Sequence, residues 1–234
     1  MIDKELLAID YLEHELGLST DVLKKIILKY PWILYLRVTT NIIPTIQVLD
    51  DNNFKQRDIV KIISQIPSIL AINHKYTLPE KLLSLQKMFY LNKNNLVKLV
   101  TAQPYLLTSS IQRNLKTSEF FRNIVKLNEN NMKLLLLKYP SLAMCSVDIL
   151  KRCYNILITI YGIDRVEVNK IIVKYPMLLT KLLVHNIKER LIFFSTELDI
   201  PSFPNEYVRQ VVVRFPPILY ISTEIFLVPN IELL

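Results

Sequence analysis

A single hexapeptide theme, first seen as Lys29-Tyr30-Pro31-Trp32-Ile33-Leu34, constrains this chain more than any other feature. Its echoes are Gln65–Leu70, Ala102–Leu107, Lys138–Ala143, Lys174–Leu179 and Arg214–Leu219. The prolines stand at 31, 67, 104, 140, 176 and 216, giving intervals of 36, 37, 36, 36 and 40 residues. A period between about 20 and 50 residues is the mark of a stacked array, in which each unit buries its apolar face on its neighbours. The 234 residues therefore read as one continuous domain, 1–234. Its units run approximately 1–36, 37–72, 73–109, 110–145, 146–181 and 182–221, with a partial seventh from 222 to 234.

Counting back from each proline exposes a short helix. Eight residues before it stand Leu23, Ile59, Leu96, Met132, Val168 and Val208. Five before it stand Ile26, Ile62, Leu99, Leu135, Ile171 and Val211, and four before it Ile27, Ile63, Val100, Leu136, Ile172 and Val212. The i, i+3, i+4 spacing is the buried stripe of an α-helix. Tyr30, Ile66, Gln103, Tyr139, Tyr175 and Phe215, one before each proline, are expected on the same stripe. Proline ends the helix, because it has no N–H and pushes the preceding residue out of the helical region. The apolar pair two and three residues beyond it suits a tight 3₁₀ turn tucked under the next helix.

A longer helix follows in each unit, expected over Asn41–Asp51, Thr77–Tyr90, Ser110–Leu127, Val147–Tyr161, Val184–Leu198 and the truncated Thr223–Leu234. Residues 2–16 read as the long helix of the first unit. Pro44, Pro79 and Pro229 fall where a first-turn proline is tolerated. The only two glycines, Gly17 and Gly162, lie 14 residues before a repeat proline, and Asn53 occupies the same slot. Gly or Asn there can take the left-handed conformation that closes a helix. Ser19-Thr20-Asp21 and Asn92–Asn95 supply cap-type residues for the next short helix. The fifth interval is lengthened within Asp199–Glu206, read as a tolerated surface insertion.

The unit of long helix, short helix ending in Lys-Tyr-Pro, then x-Leu-Leu, resembles the repeat of the mTERF (mitochondrial transcription termination factor) family. KYPWIL, KYPSLA, KYPMLL and RFPPIL carry the resemblance, with the Leu16-Gly17-Leu18-Ser19 and Tyr161-Gly162-Ile163-Asp164 junctions and the Pro44 and Pro229 slots. Units two and three depart from it, lacking the basic residue two before the proline (Gln65, Ala102). The resemblance implies an all-α, left-handed α-solenoid, two α-helices plus a 3₁₀ turn per unit, wound as a half-doughnut superhelix with a basic concave face. It also implies a nucleic-acid-binding regulator of transcription in the mitochondrion, with a plastid-type organelle as the alternative. Double-stranded DNA is the favoured partner and rRNA the alternative; one branch of the family recruits an rRNA methyltransferase, so a protein partner is a further expectation.

Formal charge is +8, from 29 basic and 21 acidic residues, which favours an anionic partner. Six residues before the proline stand Lys25, Lys61, Lys98 and Lys170; two before it stand Lys29, Lys138, Lys174 and Arg214. Positions four apart share one helix face, away from the apolar stripe. A second series, 12 residues after the proline, comprises Lys116, Arg152 and Lys188, with Lys81, Arg113, Lys151 and Arg190 nearby. Stacking turns each recurring phase into a line of cations that can track phosphates. Which series lies on the concave side is left open. Tyr30, Trp32, Tyr105, Tyr139, Tyr175 and Tyr220 are read as inter-repeat packing before base stacking.

No catalytic constellation is present in the sequence. His14, His74 and His185 are isolated at different phases, and two glycines cannot build a phosphate-binding loop. An enzyme, a cofactor and a metal are not expected. Cys145 and Cys153 fit neither a zinc spacing nor a disulfide framework and read as small buried residues in a reducing compartment. No run reaches the roughly 18–20 apolar residues that span a bilayer, so a soluble monomer is expected, with no membrane partner. The acidic residues near the start, Asp3, Glu5, Asp10, Glu13 and Glu15, are unlike a transit peptide.

Overall fold

Each of the six prolines ends an α-helix and opens a 3₁₀ turn in the computed structural model. The structure describes residues 7–196, 199–200 and 202–221. The expected seventh unit with Pro229, and the first residues of the expected 2–16 helix, lie outside the described residues. In chain order the α-helices are α1 (Ala8–Asp10, running into a π-helical turn Tyr11–Glu15) and α2 (Thr20–Lys29). There follow α3 (Ile43–Asp51, entered through a π-helical turn Val38–Ile42), α4 (Gln56–Gln65), α5 (Thr77–Phe89) and α6 (Lys93–Ala102). Next come α7 (Ile111–Glu119, continued by a π-helical turn Phe120–Ile124), α8 (Glu129–Lys138), α9 (Val147–Thr159), α10 (Arg165–Lys174), α11 (Lys181–Thr196) and α12 (Glu206–Arg214). Odd-numbered helices open a repeat, even-numbered ones close it, and the described residues contain no strand. The chain divides into two compact units, Met1–Asn114 and Leu115–Leu234, the division falling within α7.

The expected short-helix stripe is the core. All of its eighteen aliphatic residues are buried except Ile27 and Val211, which are half-buried. Successive short helices pack directly, α2 on α4 and α4 on α6 in the first unit, α8 on α10 in the second. Of the residues one before the proline only Ile66 is buried with that stripe. Their φ of −126° to −145° and ψ of 68° to 76° take them out of the helix, so Tyr30, Tyr139 and Tyr175 are only half-buried and Phe215 is 50% exposed.

The 3₁₀ turns are closed by a bond from the N–H two after the proline to the carbonyl one before it, at 3.0–3.2 Å in all six repeats: Ile33 to Tyr30, Ile69 to Ile66, Leu106 to Gln103, Leu142 to Tyr139, Leu178 to Tyr175 and Ile218 to Phe215. Both apolar residues of each turn are buried, save Leu34, which is 54% exposed.

The left-handed residue 14 before the proline is general. Gly17 (φ +78°), Asn53 (+70°) and Gly162 (+64°) adopt it as expected, and so do Tyr90 (+55°) and Lys126 (+57°). After it comes an apolar residue, Leu18, Phe54, Leu91, Leu127 or Ile163, buried each time. The amides of Phe54 and Leu91 bond back five residues to Leu49 and Gln86, the Schellman closure of a helix, and those of Leu18, Leu127 and Ile163 bond back six, to Leu12, Phe121 and Leu157. The short helices are then entered through caps: Asn92, Asn128, Asp164 and Asn205 accept from amides of the short helix that follows, whereas the Ser19 hydroxyl makes no capping bond. Pro44 is preceded by six helical residues, Val38–Ile42 and Ile43, instead of opening its helix. The π-helical turn widens the backbone there, relieving the clash a proline ring makes with the carbonyl four residues back.

Candidate nucleic-acid interface

All eleven cations expected to meet nucleic acid are exposed: Lys25, Lys29, Lys61, Lys98, Lys138, Lys170, Lys174, Arg214, Lys116, Arg152 and Lys188. The eight on short helices point outward because the opposite side of each short helix carries the aliphatic stripe, whereas Lys116, Arg152 and Lys188 lie on long helices. How they group is informative.

In the second unit the phase two before the proline forms a physical line. The Lys138 ammonium, on α8, donates to the backbone carbonyl of Lys174 at the end of α10. Lys174 and Lys170 in turn share a cleft of ≈ 280 Å³ with Arg214 of α12, lined also by Glu167, Tyr175 and Val213. Lys174 Nζ sits 5.3 Å from the centroid of the Tyr175 ring, a cation–π contact. The one carboxylate of the cleft is already engaged: Glu167 accepts from Arg209 at 2.8 Å, and Arg209 is also held by Glu206 at 2.6 and 2.8 Å. Those bonds from Arg209, with one from Gln210, hold the Glu206 carboxyl well down, at about 2. The three remaining cations are therefore left to an external anion.

In the first unit the same phase holds one cation only. Lys29 donates to the Gln65 carbonyl at the end of α4 and to the Tyr105 hydroxyl at 2.9 Å, and lies 5.4 Å from the Tyr105 ring centroid. Lys29 and Lys138 thus do the same thing in two places. Each places its charge at the C-terminal end of the next short helix, where the helix dipole is negative. Lys25, Lys61 and Lys98 lie one turn or more earlier on α2, α4 and α6.

The series beyond the proline divides. Arg152 of α9 and Lys188 of α11 line one groove, while Lys116 lies on α7. Lys81 and Arg190, counted with this series by their charge, are not surface cations: they are 3% and 1% exposed. Lys81 Nζ donates to the carbonyl of Ser109, just after the 3₁₀ turn that closes its own repeat, and Arg190 Nη2 does the same to Ile221. Cys153 donates to the Thr180 carbonyl at 3.1 Å in the fifth repeat. Burial pushes the Lys81 ammonium down to about 8 and the Cys153 thiol up to about 12.

Sequence reasoning overlooked these latches, although a signal was there. Thr45, Lys81, Ser118, Tyr154 and Arg190, each 14 residues after a repeat proline, are all polar and all buried. Aromatic positions also sort differently from expectation. Tyr105 bridges repeats through its hydroxyl, but Trp32 is 67% exposed and touches the exposed Tyr35 (ring centroids 5.6 Å) instead of packing between repeats. Among the described residues no group of three or more His, Cys, Asp or Glu is placed to hold a metal ion. No helix among them is long and apolar enough to cross a membrane.

A helical-repeat protein with a cation-lined outer face on its short helices is the class these features define. The mTERF family profile matches residues 3–161, more than half of the chain, and the chain belongs to that family. Proteins of the mTERF family are helical nucleic-acid-binding factors of organellar gene expression. The same helix–helix–turn unit continues past the matched region through α10, α11 and α12. No curated protein matches the chain.

Proposed function

We propose that this protein binds double-stranded DNA through the outer face of its short helices and regulates organellar transcription, as in termination, in the mitochondrion. The observation that carries the reading is the line Lys138, Lys174, Arg214. Three successive repeats contribute one cation each at one phase, and Lys170 joins them in the α10–α12 cleft. Spaced cations on a rigid scaffold neutralise successive phosphates, fixing the position of the protein on the duplex with little readout of bases. The neutralisation of Glu167 by Arg209 supports an anionic ligand in particular.

The test is direct binding to a duplex with Lys170→Glu and Lys174→Glu combined. Both side chains are exposed, so folding is preserved, and the expected loss is about tenfold or more at moderate salt. Unchanged duplex affinity would remove the cleft from the interface. Should the same variant lose affinity for structured rRNA instead, the second reading, a role in ribosome assembly, takes its place; the family itself spans nucleic-acid-binding factors of organellar gene expression.

A further inference from the structure

We propose that the groove between α9 and α11 is a docking site for an acidic, amphipathic helical segment of a partner protein. It measures ≈ 490 Å³ and is lined by Ile149, Arg152, Val184, His185, Ile187 and Lys188, none of them shared with the α10–α12 cleft. A pocket between about 300 and 1,000 Å³ suits a few side chains of a docked element. Ile149 and Arg152 are three apart on α9, and Val184, Ile187 and Lys188 lie at i, i+3, i+4 on α11, so each helix turns one face to the groove.

The chemistry of the lining is divided. Ile149, Val184 and Ile187 remain half-exposed, unlike the fully buried aliphatic stripe of the short helices, and form an apolar floor. Arg152 and Lys188, at the same phase of successive repeats, put one exposed cation on each wall. Neither makes a hydrogen bond or ion pair with another described residue, and no carboxylate lines the groove. An amphipathic helix laid there would bury leucine-type side chains on the floor and direct carboxylates to both walls, the helix-in-groove mode of recognition. A nucleic-acid backbone gains little from an aliphatic floor, because its affinity comes from neutralised phosphates and from bases stacked on aromatic rings. Charge complementarity and apolar area thus point to one acidic protein segment.

The probe is a fluorescein-labelled helical peptide of about four turns, leucine on one face and glutamate on its flanks, titrated with the whole chain by fluorescence anisotropy. Saturable binding is expected, weakened about tenfold or more by Arg152→Glu combined with Lys188→Glu. The same variant is expected to keep the wild-type melting temperature and to lose less duplex affinity than Lys170→Glu combined with Lys174→Glu, which changes the charge by the same amount. Binding no tighter than that of a leucine–lysine peptide of the same pattern would overturn the proposal. So would a double variant that loses duplex affinity as fully as the Lys170→Glu, Lys174→Glu pair does, which would assign Arg152 and Lys188 to the nucleic-acid face.

Discussion

At the scale of single residues, the slot 14 before the proline shows how backbone geometry overrides residue preference. Five repeats place a left-handed residue there, yet only Gly17 and Gly162 are residues that adopt it without strain. Tyr90 and Lys126 accept a cost of roughly 1–2 kcal/mol each, offset by the buried apolar residue that follows and the helix closure it completes. The two glycines differ in their surroundings. A Cβ on Gly162 would meet the Pro204 ring at 3.1 Å, whereas on Gly17 the nearest atom is the Gln56 amide at 4.0 Å. Both alanine variants have the same left-handed strain, about 1 kcal/mol, but only Gly162→Ala adds a steric term. Urea unfolding should therefore show Gly162→Ala as the more destabilising, by about 1 kcal/mol or more. Equal losses would mean that the Pro204 contact relaxes freely.

At the scale of the element, most of the repeat was legible because periodicity and proline chemistry are local properties of the chain. The stripe of Leu23, Ile26 and their equivalents, the helix stop at Pro31 and its copies, and the 3₁₀ turns all follow from spacing and a missing N–H. What spacing alone could not show is where a long side chain ends. Lys81 and Arg190 read as surface charge, yet each crosses to the carbonyl that follows the turn closing its own repeat, a partner 28 and 31 residues away. A cation held dry in this way has a measurable signature. Lys81 is lowered from 10.5 to about 8 by burial, so the unfolded chain binds more protons between those values and stability rises as pH increases through that window. Below pH 8 both states are protonated and the term is constant. Lys81→Met removes the term, so the stability difference between wild type and variant should shift toward wild type by about 2 kcal/mol from pH 8 to about pH 10. A difference that stays flat across the window would show that the ammonium is not desolvated.

At the scale of the whole molecule, the candidate interface was readable as a set of exposed cations but not as clusters, because clustering depends on which repeats touch. Each unit carries four of the candidate short-helix cations, yet the phase two before the proline holds only Lys29 in Met1–Asn114, against Lys138, Lys174 and Arg214 in Leu115–Leu234. Gln65 and Ala102 interrupt the first unit's line. Phosphate contacts release counterions, so the logarithm of duplex affinity falls with the logarithm of salt at about −0.9 per neutralised phosphate. Engagement of roughly five to eight phosphates gives a slope of about −4 to −7 for the wild type. If the second unit's line is the stronger anchor, Lys170→Glu with Lys174→Glu flattens the slope by about 2, while Lys25→Glu with Lys61→Glu in the first unit flattens it by less. Parallel salt titrations of the three proteins on one duplex separate these outcomes. A wild-type slope near zero with binding intact would mean that something other than backbone charge holds the duplex. Equal flattening by both pairs would spread the anchor over both units, since exposed lysines at one phase would then count alike whether or not their neighbours continue the line.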